Sequence, residues 1–109
     1  MISKLPRKLT EKPWGRTDVP QYLTGLIPTR TRIGEVEFEA DDDDELLVKY
    51  LFTSEPLSVQ VHPGDQAARH AGLARGKDEA WIILSAEPNA SIAMGFSRLV
   101  TSHAVEAAA

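Results

Sequence analysis

Hydrophobic and polar residues alternate with a period of two through much of this chain, and that spacing predicts strands. In "RIGEVEFEA", Ile33, Glu35, Glu37 and Glu39 fall on one face and Gly34, Val36 and Phe38 on the other. "LLVKYLFT" (Leu46 to Thr53) is rich in β-branched and aromatic residues and reads as the next strand. "LSVQVHP" alternates again, with Leu57, Val59 and Val61 opposite Ser58, Gln60 and His62. "DEAWIILSA" and "ASIAMGF" complete a set of about five short strands, a count read from alternation and residue type. Between them, "ADDDDE" is a solvated turn, because adjacent like charges repel. "SEP" and "EPN" are tight turns. Asp65 to Ala71 is expected to form one short helix capped by Asp65, and the Ala-rich tail "VTSHAVEAAA" a second. Residues 1–30, punctuated by Pro13, Pro20 and Pro28, read as an arm or loop ahead of a domain over residues 31–109. Short strands, tight turns and little helix predict an all-β sandwich or barrel. The linkers are too short for the crossovers of a parallel sheet.

The length of 109 residues allows one small core. A net charge of −4 gives a phosphate backbone nothing to attract it, so no nucleic-acid partner is expected. No apolar run approaches the ~18 residues of a membrane span, and the basic N-terminus has no apolar stretch behind it, so neither a membrane partner nor a secretory leader is expected. Cysteine is absent. That excludes disulfides and thiolate metal sites, and it suits a cytoplasmic protein. Any metal must be held by nitrogen and oxygen donors.

Those donors occur in one stretch, "LSVQVHPGDQAARHAGLARGKDEAW". Alternation places Ser58, Gln60 and His62 on one face, with Gln60 and His62 roughly 7 Å apart. The same rule groups Lys77, Glu79 and Trp81. If both polar faces line one cavity, Gln60, His62 and Glu79 converge on a cation, and Lys77 meets an anion at its rim. By alternation alone, a polar face more often meets water. Trp81 reads as a core residue. Three other features carry less. The "DDDD" run lacks the ligand spacing of a calcium loop. "GLARGK" continues with Asp78 and fails the phosphate-loop pattern. His70 and His103 sit in helical contexts that favour surface positions.

From Ile33 to Phe96 the chain resembles the N-terminal half of the bacterial type I mannose-6-phosphate isomerases. The likeness rests on "LLVKYLFTSEPLSVQVHPGD" and "GKDEAWIILSAEPNASIAMGF", with "KPWG" upstream. It implies a cupin-like antiparallel jelly-roll barrel, incomplete in this chain, with short helices. It implies Zn²⁺ as cofactor, with Gln60, His62 and Glu79 as ligands. Ser58 and Lys77 then take catalytic, substrate-contacting positions, and Trp14 and Glu35 flank a sugar-phosphate pocket. The implied reaction interconverts mannose 6-phosphate and fructose 6-phosphate through a cis-enediol.

The chain departs from the family pattern at three places. Gly64 stands where an acid is common, and Glu37 where an aromatic is common. The family's fourth ligand, a His on a later strand, lies beyond Ala109. The expectation is therefore a partial cupin whose open sheet edges favour a homodimer. The alternative is a non-catalytic module that binds metal or sugar phosphate.

Overall fold

The computed structural model describes residues 2, 4–25, 30–39 and 46–107. The "DDDD" turn lies outside them. Two compact units follow one another, Met1–Leu57 and Ser58–Ala109.

The first unit holds an open, three-stranded antiparallel sheet with strand order β1-β2-β3, where β1 is Arg7–Arg16, β2 is Ile33–Phe38 and β3 is Val48–Leu51. The central strand is the one with the clearest alternation. Val36 is fully buried, and it stands between Leu9 of β1 and Tyr50 of β3. Phe38 meets Tyr50 edge-on at 5.9 Å between centroids, and Tyr50 lies 6.3 Å from Phe52. Leu23 of the short helix α1 (Gln21–Thr24) joins Ile33 and Val36 in the core, against which Leu9, Val19, Phe38 and Phe52 pack. On the other face a row of alternating charge crosses the sheet, with Glu37 directly opposite Lys8 on one side and Lys49 on the other. That position suits an acid better than an aromatic ring.

Residues 1–30 are not a featureless arm, since they contain β1, the longest strand described. Its proline and lysines disguise it. β1 is an edge strand, where Pro13 forfeits no ladder bond and charges discourage further pairing. Its pairing slips between Thr10 and Glu11 and again before Arg16. At the second slip the backbones close up: a Cβ on Gly15 would sit 2.6 Å from the Ile33 carbonyl carbon, and one on Gly34 would sit 2.8 Å from the Trp14 ring. Ser54 locks this crossing. Its amide donates to the Trp14 carbonyl at 2.7 Å and its hydroxyl to that of Gly15 at 3.0 Å. Arg32 adds a bond to the Pro13 carbonyl at 3.1 Å.

The second unit contains α2 (Asp65–His70) and α3 (Ser102–Glu106). α2 ends in a Schellman turn. Gly72 takes φ +81° and donates to the Arg69 carbonyl, while the Leu73 amide returns to Ala68. Thr101 caps α3 by accepting the Ala104 amide at 3.2 Å. The strands expected at 57–63, 78–86 and 90–96 are not strands among the described residues. Their β-branched content suits extended backbone, but a strand also needs a hydrogen-bonded neighbour, and none is described here. The chain is thus mostly β where it is regular, with an open sheet rather than a closed barrel.

Candidate functional site

One carboxylate organises the second unit. Glu79 Oε2 lies 3.0 Å from His62 Nδ1 and 3.4 Å from Lys77 Nζ. Its other oxygen, Oε1, accepts the indole N–H of Trp81. The side chains of His62 and Glu79 are about one-quarter exposed, at 27% and 25%. The Trp81 hydrogen bond holds the Glu79 carboxyl below the usual glutamate range, the charges of Lys77 and His62 add to that, and partial desolvation opposes it. The carboxylate therefore stays ionised at neutral pH, held by one neutral donor and one fixed cation.

Two segments on either side of α2 meet here, with the backbone around Gly76 pressed against residues 63–65. The Lys77 amide donates to the Pro63 carbonyl at 3.2 Å. The Gly76 amide donates to Asp65 Oδ1 at 2.9 Å. A Cβ on Gly76 would come within 2.5 Å of the Pro63 oxygen, so only glycine fits. Asp65 was expected to cap α2. Instead it is the first helical residue, the cap is Gly64, and the carboxylate points its oxygen at Gly76.

The structure brings together His62, Lys77 and Glu79 of the expected set. Ser58 and Gln60 are exposed and enter none of the hydrogen bonds described for the chain. Trp14 and Glu35 belong to the first unit. Trp14 covers Gly34, and Glu35 pairs with Lys49 at 3.4 Å. Trp81, expected in the core, is instead 47% exposed and bonded to Glu79. Its place two residues after Glu79 was the available signal, since both sit on the same face of an extended segment. His70 and His103 are exposed, and His70 Nδ1 lies 2.8 Å from the Gln66 carbonyl within its own helix.

An imidazole nitrogen and a carboxylate are the donor types Zn²⁺ accepts, so His62 and Glu79 fit as two ligands of such an ion. Among the described residues, no group of three or more His, Cys, Asp or Glu side chains is placed to hold a metal. Gln60 is the remaining expected donor, and its amide oxygen is neutral and weak.

No family model matches this chain, and neither a curated protein nor a solved structure does. No helix of the described residues is long and apolar enough to cross a membrane.

Proposed function

We propose that residues 58–81 form part of the site of a mannose-6-phosphate isomerase, within a cupin-like barrel of which this chain supplies a portion. The carrying observation is the meeting of His62 and Lys77 on the Glu79 carboxylate. That is the triplet for which the resemblance to those isomerases gives a reason.

In this reading Gln60, His62 and Glu79 hold Zn²⁺, which when bound would polarise the sugar oxygens and steady the negative charge of an enediolate. The protein's own groups do the rest. Lys77, with a side chain 51% exposed, reaches outward to an anionic oxygen of the sugar phosphate through a charge-assisted hydrogen bond. Ser58 offers a hydroxyl to the sugar. Trp81 keeps Glu79 aimed and ionised. A small anionic sugar is the partner, and a reducing cytoplasm is the compartment that a cysteine-free chain suits.

The second reading is a binding module without turnover. It is favoured by the two-residue donor set, which would hold a metal loosely and leave the proton transfer at C1 and C2 without a dedicated base. One experiment separates them: a coupled isomerase assay with added Zn²⁺, alongside metal analysis, on the wild type and Glu79→Gln. The enzyme reading expects turnover in the wild type and a loss of at least tenfold in the variant. Stoichiometric zinc and saturable mannose 6-phosphate binding without turnover would select the module. Equal turnover in both proteins would remove Glu79 from the site.

A further inference from the structure

We propose that Asp65 is a positioning residue, whose carboxylate sets the approach of the Lys77–Glu79 pair to His62 by holding the Gly76 amide. Three observations meet at this junction. The Asp65 Oδ1 to Gly76 N bond is 2.9 Å. The Lys77 amide to Pro63 carbonyl bond, at 3.2 Å, runs parallel to it one residue on. Gly76 lies so close to residues 63–65 that a methyl group would meet three backbone atoms within 2.8 Å.

His62 precedes this junction on one segment of the clasp and Glu79 follows it on the other. The Asp65–Gly76 bond and the Lys77 amide bond both tie the segment that carries His62 to the one that carries Glu79. Asp65 sits at the start of α2, a helix closed at its far end by the Schellman turn, so the carboxylate is carried on a fixed element. Its other oxygen lies 3.9 Å from Arg69 Nη1. The geometric claim stands by itself. Its consequence for binding rests on the reading of His62, Lys77 and Glu79 given above.

The test uses metal-free protein and ¹⁵N NMR of His62. A carboxylate beside Nδ1 favours the tautomer that carries its proton there, so the His62 tautomer pattern reads whether the 3.0 Å contact is made. Asp65→Ala is expected to give the free-histidine pattern, matching that of Glu79→Ala. Asp65→Asn keeps an acceptor oxygen for the Gly76 amide and is expected to retain the wild-type pattern. Should Asp65→Ala fail to fold, Gly76→Ala attacks the same junction from the other side and is expected to release His62 too. An unaltered His62 pattern in folded Asp65→Ala, or release in Asp65→Asn equal to that in Asp65→Ala, overturns the proposal. Zinc titration of the same proteins then reads the consequence, an affinity loss of about tenfold in Asp65→Ala. Absence of zinc binding in the wild type would count against the proposed function and leave the His62 result standing.

Discussion

At the scale of single residues, charge placement decides most outcomes. Asp18 shows it in its simplest form. Arg16 donates two hydrogen bonds to its carboxylate, at 2.7 and 2.8 Å, and these hold the Asp18 carboxyl below its ordinary value. A lowered folded-state pKa means the pair contributes stability above the ordinary carboxylate range, and that contribution disappears as pH falls through the lowered value. Both groups face water, so the effect on stability is small. Arg16→Gln is expected to return the Asp18 titration, followed by ¹³C NMR, to the ordinary range. An unmoved midpoint would mean that Arg16 is not the cause. Glu79 uses the same physics in a drier setting, where a third donor, Trp81, makes the carboxylate a hub rather than half of a pair.

At the scale of elements, the central strand carries the core. Val36→Ala removes two methyl groups from a position with no exposed surface and is expected to cost about 2 kcal/mol in chemical denaturation. Val48→Ala, at a position 51% exposed on the edge strand β3, is expected to stay within about 0.5 kcal/mol. Equal costs would contradict the assigned register. β2 and β3 were legible because Val36 and Phe38 alternate with glutamates and because Tyr50 and Phe52 follow in step. β1 was hidden: Pro13, Lys8 and Lys12 argue for a loop in any local window, and only its neighbour β2 makes it a strand. The segments after Ser58 show the reverse, since their β-branched residues predict strands that acquire no described ladder. The alternation placed His62 and Glu79 together only on the condition that their two segments face one another. Spacing could not supply it, because it depends on the absence of a side chain at Gly76 and on an acceptor at Asp65.

At the scale of the whole molecule, the two units are unequally provided. The buried residues Leu23, Ile33 and Val36 all lie in the first, and the second contributes Ala68. Along the second unit, Ile82, Leu84 and Met94 are 84%, 73% and 92% exposed. Large exposed apolar patches on proteins commonly mark interaction sites. With the open sheet edges, this exposed surface is the ground for proposing self-association. Size-exclusion chromatography with light scattering is expected to show a dimer or larger species, and Ile82→Lys with Leu84→Lys to shift it toward monomer. A compact wild-type monomer at high concentration would exclude this.

The order of the sheet also governs how the chain acquires its shape. In β1-β2-β3 each strand lies beside the next one made, so no pairing waits for a distant partner. Such local topology shortens the search for native contacts. The first unit ends at Leu57, ahead in sequence of His62, Asp65 and Gly76 of the clasp. The residues of the sheet are therefore all synthesised before those of the clasp, and the exposed apolar residues Ile82, Leu84 and Met94 follow both.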